Sequence, residues 1–148
     1  MGYGHPDAMR LIEEVQAEYV VRYGSRDATP LDPLMFEPPS GSFFVGYLVI
    51  DGAETAVVSG AWRAHDERTS EIKRMYVAPV ARGSGLARAM LAHLEATARA
   101  SGAEAMVLET GAAQPEAIAL YESSGYEPIT PFGIYADSPL NRCFGKAL

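Results

Sequence analysis

The spacing of apolar residues predicts a helix near the start of the chain. Ala8, Ile12, Val15 and Tyr19 fall on one stripe of a helix over residues 7–24, and the intervening positions are mostly polar. We therefore expect this helix to pack against the core of the protein through that stripe.

Three segments that resemble strands follow and predict an antiparallel meander. Residues 43–50 and 55–64 are joined by Asp51-Gly52, a pair typical of tight hairpin turns. The polar residues 65–69 then turn the chain into a third strand over residues 70–77.

The third strand leads into a glycine-containing loop and an amphipathic helix. Pro79 ends the strand pairing because it has no backbone N–H, and residues 82–85 turn the chain. Glu95 and Arg99 are four residues apart and are expected to pair, and Gly102 is suited to follow the last helical turn. The apolar stripe of this helix consists of Ala87, Met90, Leu91, Leu94 and Ala98.

The rest of the chain continues the alternation of helices and strands. A strand over residues 105–110 is expected to pair in parallel with residues 70–77, which gives a right-handed β-loop-α-β unit. A helix over 114–124 and strands over 126–129 and 142–147 complete a single predicted α/β domain of 148 residues.

Two proline-containing loops interrupt this pattern, over residues 25–41 and 130–141. Loops of this length in a compact domain are often functional, although the first is equally well interpreted as a surface connection. The polar residues at or near their edges that could meet a substrate are Arg26, Asp27, Asp32, Glu37, Tyr135, Asp137 and Arg142.

Composition and charge exclude several classes of function. The net charge of −7 argues against a nucleic-acid partner, and no apolar run is long enough to cross a membrane. The single cysteine, Cys143, indicates a reducing cytoplasm. The three histidines are scattered without the spacing of metal ligands, so no metal is expected.

The loop before the second helix is a candidate site for a pyrophosphate, because a helix N-terminus offers unpaired N–H groups. It lacks the lysine of a nucleotide-binding P-loop, and Arg88 stands where a dinucleotide-binding loop has its third glycine. The pattern Arg82-x-x-Gly85-x-Ala87, directly after a strand, instead resembles the acyl-coenzyme A loop of the GCN5-related N-acetyltransferases (GNAT).

A second segment, residues 117–126, is similar to the other coenzyme A segment of that family, with a Leu-Tyr pair and a Gly-aromatic pair. The two segments extend the resemblance from about Phe43 to Tyr126. The resemblance implies a GNAT-like α/β fold, with a central mixed, mostly antiparallel sheet flanked by helices. Family members usually begin with a strand, for which residues 1–6 are too few, so we expect the first strand to be missing or vestigial.

The resemblance also implies acetyl-coenzyme A as co-substrate and a set of residues that bind it. The strand residues would bond the pantetheine arm where two strands splay apart, the loop amides and an arginine would bind the pyrophosphate, and Gln114 replaces a common asparagine. The implied residues are Met75, Tyr76, Val77, Arg82, Gly83, Ser84, Gly85, Leu86, Ala87, Arg88, Gln114 and Tyr121.

The same resemblance suggests roles in catalysis. Tyr121 would protonate the leaving thiolate, and Glu71, expected on the same side of its strand as Met75, would deprotonate the amine. Glu71 could equally be a structural partner of Lys73. Glu109 is the rival base or a carboxylate that binds the acceptor, because a buried strand does not carry an unpartnered glutamate.

These features predict an N-acetyltransferase that transfers an acetyl group to a primary amine by direct attack, with a small-molecule acceptor. The alternatives are a protein or peptide N-acetyltransferase and a non-catalytic acyl-coenzyme A sensor on the same fold. A toxin acting on aminoacyl-tRNA is disfavoured by the negative net charge of the chain. A homodimer through the C-terminal strands is left open.

Overall fold

A computed structural model describes residues 1–29 and 31–148. Short 3₁₀ turns lie at Pro33–Phe36 and Pro79–Ala81. In chain order the helices and strands are α1 (Pro6–Tyr23), β1 (Gly41–Ile50), β2 (Ala53–Ala64), β3 (Thr69–Val77), α2 (Leu86–Ala100), β4 (Ala105–Gly111), α3 (Pro115–Ser123), β5 (Glu127–Pro128) and β6 (Asn141–Ala147).

The strands form one mixed sheet in the order β1-β2-β3-β4-β6-β5. Only β3 and β4 pair in parallel, and the remaining neighbours are antiparallel. Within the described residues no strand precedes α1, so the sheet begins with β1. The predicted fold, including its missing first strand, is confirmed.

The two faces of the sheet are covered by different helices. Val57 packs in a cluster with Leu11 and Val15 of α1, whereas its neighbour Val58 packs in a cluster with Met90 of α2. Neighbouring residues of a strand point to opposite faces, so α1 and α2 enclose the sheet from two sides. Trp62 lies in the α2 cluster, and its indole N–H donates to the Thr97 hydroxyl at 3.0 Å.

A β-bulge interrupts β3 at Arg74. Ala61 of β2 is opposite Lys73 and Ser59 is opposite Tyr76, so β3 has one more residue than β2 between these pairs. Arg74 absorbs the extra residue with a φ of +56°, a conformation that is strained for a residue other than glycine.

The bulge changes which side chains of β3 share a face. Met75 packs against the α2 cluster together with Ile72, while Tyr76 packs against α1. Lys73, Arg74 and Tyr76 therefore share the α1 face. The expectation that Glu71 lies on the same side as Met75 is wrong, because the extra residue reverses the alternation between them.

The parallel pairing of β3 with β4 is short. It consists of Thr69 with Ala105, Ser70 with Met106 and Glu71 with Val107, whereas β4 continues to pair with β6 as far as Gly111. Beyond Glu71 and Val107 the two parallel strands separate and form a fork. This is the splay that the resemblance implies.

The ion pair predicted between Glu95 and Arg99 on α2 is not formed. Glu95 does not pair with Arg99, because Lys146 of β6 lies at 3.1 Å and the Tyr126 hydroxyl donates to it at 2.8 Å. These partners come from distant parts of the chain and are closer to the core than Arg99.

No helix of the described residues is both long and apolar enough to cross a bilayer.

Candidate functional site

A cavity of about 900 Å³ opens at the fork between β3 and β4. Its walls come from α1, the residues after α1, β3, the loop before α2, β4, α3 and the 130–141 loop. All the residues predicted to bind the cofactor line this cavity except Ser84. The Ser84 side chain is exposed, and its hydroxyl donates to the Ala81 carbonyl, so Ser84 could contribute only its backbone amide.

The N-terminus of α2 is open to an anion. Gly85 occupies the N-cap position with a φ of +81°, and no side chain caps the helix, so its first N–H groups stay available. A Cβ placed on Gly83 or Gly85 would meet no atom within 4 Å, which leaves room for a ligand against the backbone. The geometry therefore fits a pyrophosphate group.

The two arginines near this loop differ in their availability. Arg82 is engaged by Glu18 at 2.7 Å and by the Val77 carbonyl at 3.1 Å. Arg88 donates only to the neutral hydroxyls of Ser123 and Ser124 within the described residues. Its positive charge is therefore the less compensated of the two.

The backbone of β3 beyond the fork lines the cavity at Met75, Tyr76 and Val77. Since no strand of the described residues pairs with this edge of β3 past Glu71, its N–H and C=O groups can meet a ligand. Gln114 lies at the N-cap of α3, and its Oε1 accepts from the Tyr23 hydroxyl at 3.2 Å.

Tyr121 is buried at the wall of the cavity, with 6% of its surface exposed. Its ring packs edge-on against Tyr126, and its hydroxyl forms no hydrogen bond to the described part of the chain. Burial raises the pKa of the phenol, and the neighbouring Tyr19 adds to the rise. The hydroxyl is therefore protonated at neutral pH and can donate a proton or a hydrogen bond.

The two candidate bases have different surroundings. Glu71 is 2% exposed and lies outside the cavity lining, where Arg63 Nε donates to it at 3.1 Å and Lys73 Nζ lies at 3.5 Å. Glu109 lines the cavity and accepts from Lys73 through Oε1 at 3.2 Å. Its Oε2 is buried and has no hydrogen-bond partner among residues 1–29 and 31–148.

Burial raises the pKa of Glu109, although the charge of Lys73 opposes this effect. Of the two glutamates, only Glu109 combines contact with the cavity and a free carboxylate oxygen. The geometry therefore favours Glu109 over Glu71 as the group that meets an acceptor.

The sequence profile of the Acetyltransferase (GNAT) family matches residues 8–126, which is most of the chain. The chain belongs to the GNAT acetyltransferase family. Family membership makes it an acyl-coenzyme A-dependent N-acetyltransferase, so its co-substrate is a coenzyme A thioester. The residues around the open N-terminus of α2 fit that ligand.

Individual GNAT relatives agree with this assignment. The chain is 36% identical over 141 residues to an IAA acetyltransferase from Azospirillum brasilense, covering 95% of this chain and 90% of the relative. It is similar to a Klebsiella pneumoniae structure assigned provisionally as an acyl-CoA N-acyltransferase, with a TM-score of 0.78 and 30% identity over 100% of this chain and 94% of that one.

A third GNAT acetyltransferase, from Elizabethkingia anophelis, was solved with acetyl-CoA bound. Its TM-score is 0.61 with 17% identity, covering 82% of this chain and 94% of that chain. At this identity the likeness concerns the fold alone.

The structure of this GNAT protein also brings residues to the cavity that sequence reasoning did not single out. Arg74 lies on the cavity wall, and its Nη1 donates to Asp27 at 2.8 Å. Tyr19 lines the same wall, and burial raises its pKa to about 12. The only signal for Arg74 in the sequence is the pair of adjacent charges, Lys73 and Arg74, in a strand that is otherwise buried.

The two proline-containing loops meet over the cavity. The Tyr135 hydroxyl accepts a hydrogen bond from the Ala28 N–H at 2.7 Å, which links the segment after α1 to the 130–141 loop. Tyr135 and Asp27 both line the cavity. The loops therefore lie where an acceptor would enter.

Proposed function

We propose that this protein transfers the acetyl group of acetyl-coenzyme A to the primary amine of a small molecule, by direct attack within a ternary complex. The observation that carries the proposal is one continuous cavity with the chemistry of both substrates. It extends from the uncapped N-terminus of α2 to the buried Tyr121 and to Glu109, whose Oε2 has no hydrogen-bond partner among the described residues. One domain supplies all of these groups.

The donor would be held by two parts of the fold. The amides of residues 82–87 and the side chain of Arg88 would bind the pyrophosphate, because they combine a helix N-terminus with an uncompensated cation. The edge of β3 at Met75, Tyr76 and Val77 would bond the pantetheine arm within the fork, in the manner of an added strand. Gln114 and Tyr121 would flank the arm on the α3 side.

The acceptor nitrogen loses two protons when an ammonium becomes an amide. A C–N bond forms and a C–S bond breaks; the first proton leaves the ammonium before attack, and the second passes from the attached nitrogen to the leaving sulfur through a group that gives its own proton to sulfur and takes up the one from nitrogen. Glu109 is suited to receive the first proton because its Oε2 has no hydrogen-bond partner in the described part of the chain and its pKa is raised. Tyr121 is suited to relay the second because its phenol stays protonated.

In this proposal Glu71 is a positioning residue, which helps to hold Glu109 in place by binding Lys73. Its carboxylate binds Arg63 and Lys73, and Lys73 in turn holds Oε1 of Glu109. The alternative in which Glu71 is itself the base would require it to leave two cations and reach the cavity. A hydrogen bond from the Ala28 N–H to the Tyr135 hydroxyl joins the two loops beside the cavity, which favours a small acceptor over a protein.

The proposal is tested by thermal unfolding with and without acetyl-coenzyme A, followed by release of free thiol across a panel of amines. A ligand at about 100 times its Kd should add about 2.7 kcal/mol to the free energy of unfolding. Tyr121→Phe should lower kcat by roughly 100-fold or more and leave the affinity for acetyl-coenzyme A nearly unchanged.

Tyr47→Phe is the matched control, because Tyr47 is exposed, bonds Asp7 and lies outside the cavity. Unchanged turnover in Tyr121→Phe would remove Tyr121 from the mechanism. Binding of acetyl-coenzyme A without thiol release for any amine would favour a sensor, and no binding at all would contradict the proposal.

A further inference from the structure

Arg74 presents an unused edge at the wall of the cavity. Among the described residues Nη1 of its guanidinium donates to Asp27, the Tyr3 hydroxyl lies beside the group, and the buried Nε has no hydrogen-bond partner. Burial lowers the pKa of Arg74, but the Tyr3 hydroxyl and Asp27 beside it more than offset that effect and raise it. The side chain is therefore a fixed cation that is 4% exposed.

The unused edge is the one that binds carboxylates. Nε and Nη2 of an arginine form a fork that matches the two oxygens of a carboxylate. Arg63 uses this edge within the same protein, since its Nε and Nη2 both lie 3.1 Å from Oε1 of Glu71. Arg74 uses the other end of its guanidinium for Asp27, which leaves the Nε–Nη2 edge without a carboxylate.

Glu109 presents the complementary group. Its Oε2 is buried without a hydrogen-bond partner in the described part of the chain, and Lys73 occupies only Oε1. An unpaired buried polar atom costs free energy until a ligand supplies its partner. An ammonium is a suitable partner for this oxygen.

Both groups lie at the same place in the fold. Arg74 comes from β3 and Glu109 from β4, in each case shortly after the last parallel pair, Glu71 with Val107. Lys73 contacts Glu109, and the charge of Lys73 acts on Asp27, the partner of Arg74. One small molecule at the fork can therefore meet both side chains.

We propose that the acceptor is an amino carboxylate, whose amine binds Glu109 and whose carboxylate binds the Nε–Nη2 edge of Arg74. This inference rests on the proposed function, because it names the class of amine that the same site accepts. It assigns Arg74 a role in binding and specificity, and leaves the proton transfers as described above.

The balance of charges distinguishes this acceptor from a polyamine. Lys73 faces Glu71 and Glu109, and Arg74 faces Asp27, so the buried cations and anions around the fork nearly compensate one another. Among the described residues, Oε2 of Glu109 is an acceptor and Nε of Arg74 a donor without a hydrogen-bond partner. A zwitterion satisfies both, whereas a second ammonium would meet the guanidinium and be repelled.

The test compares matched sets of acceptors that share a side chain and differ only at the carboxyl group. One set is phenylalanine, phenylalaninamide and phenethylamine, and a second is leucine, leucinamide and 3-methylbutylamine. Thiol release from acetyl-coenzyme A gives kcat/KM for each. We expect the free acid to exceed the amide and the amine by on the order of 100-fold, because the site's buried donor is left unpaired by the analogues.

An amide makes its neighbouring amine easier to deprotonate, so chemical reactivity alone would favour phenylalaninamide. A preference for the free acid therefore reports recognition of the carboxylate. In Arg74→Lys this preference should fall about tenfold or more through a rise in KM for the acid, with little change for phenethylamine. Arg99→Lys is the matched control, since Arg99 is exposed on α2 and far in sequence from the fork.

The outcomes separate the two proposals. If the amides and amines are acetylated as well as the free acids, the acceptor class is wrong and the proposed function stands. If no amine or amino acid releases thiol from folded protein that binds acetyl-coenzyme A, both fail. The comparison on the unaltered protein decides the matter even if Arg74→Lys does not fold.

Discussion

The position of Glu109 explains how one carboxylate can serve in proton transfer. Lys73 holds Oε1 at 3.2 Å, and burial without a partner for Oε2 raises the pKa of the group. A base with a raised pKa shares a proton more evenly with an amine than an ordinary surface glutamate does. The same burial makes the ionised form costly to the folded state.

Glu109→Gln should lower kcat/KM by on the order of 100-fold or more, because the amide cannot take a proton. In the unaltered protein the acidic limb of the pH profile should lie above the usual pKa of a glutamate. Glu104→Gln is the control, since the Glu104 side chain is exposed and pairs only with Arg68 among the described residues. Full activity of Glu109→Gln would return the role of base to Glu71.

The raised pKa of Glu109 also predicts how stability depends on pH. A carboxyl whose pKa is higher in the folded state binds its proton more tightly there, so protonation favours folding. This contribution is present below the unfolded pKa and is lost as pH rises through the folded pKa. Urea unfolding should therefore show the free energy of unfolding falling across that window, with a smaller fall in Glu109→Gln. An equal fall in both proteins would show that Glu109 is ordinarily solvated.

At the scale of single elements, the glycines at the two ends of α2 have similar backbone conformations but different proposed roles. Gly85 has a proposed role in binding, whereas Gly102 has only a structural role. Gly85 precedes the helix with a φ of +81° and Gly102 follows it with a φ of +104°. A Cβ at either position would meet no atom within 4 Å. Replacement by alanine therefore costs conformational strain of about 1 kcal/mol at each end and creates no steric clash.

Only the N-terminal glycine should affect the cofactor. Gly85→Glu places a carboxylate at the proposed pyrophosphate site and should weaken acetyl-coenzyme A binding by on the order of 100-fold. Gly102→Glu introduces the same charge and similar strain at the other end of the helix and should leave affinity unchanged. Calorimetric titration gives both values. Equal affinities in the two variants would place the pyrophosphate elsewhere.

The elements also show which features a sequence can predict. The turn at Asp51-Gly52 was predictable because only a few residue types tolerate the positive φ values of 51° and 80° found there. The bulge at Arg74 was not, since it depends on how β3 registers against β2. The partner of Glu95 also depends on tertiary structure. It was mispredicted because Lys146 lies on β6 and is brought to Glu95 by the packing of the sheet against α2.

The residues of the candidate site likewise divide into those that local sequence patterns predict and those that depend on tertiary structure. The loop at residues 82–85 and the helix that carries Tyr121 have local patterns, so their residues were predicted and all but Ser84 reach the cavity. Glu71 and Glu109 could not be ranked from the sequence, because burial, ion pairing and access to the cavity decide between them. Those properties arise only when β3 and β4 separate at the fork.

At the scale of the whole molecule, the fork divides the sheet into two parts. Strands β1, β2 and β3 form one part and β4, β6 and β5 the other, and three residue pairs of β3 and β4 join them. The proposed pantetheine site lies in the gap beyond these pairs. A ligand that bonds both walls of the gap would take the place of the missing strand pairing.

This arrangement predicts a pattern of hydrogen–deuterium exchange. Coenzyme A should slow exchange in residues 74–77 and 108–111, which line the gap, as well as in residues 83–88. Adenosine 3′,5′-bisphosphate lacks the pantetheine arm and should slow exchange only in residues 83–88, because it can reach only the helix N-terminus.

The hairpin of β1 and β2 provides the internal control for this experiment. Its outer strand, β1, is separated from β3 by β2 and does not line the cavity, so any slowing in β1 measures the general stabilisation that every ligand confers on the folded state. Protection of residues 74–77 by coenzyme A beyond that level, and its absence with the bisphosphate, would place the arm in the fork. Equal protection by the two ligands would mean that the arm lies outside the gap and that β3 binds something else.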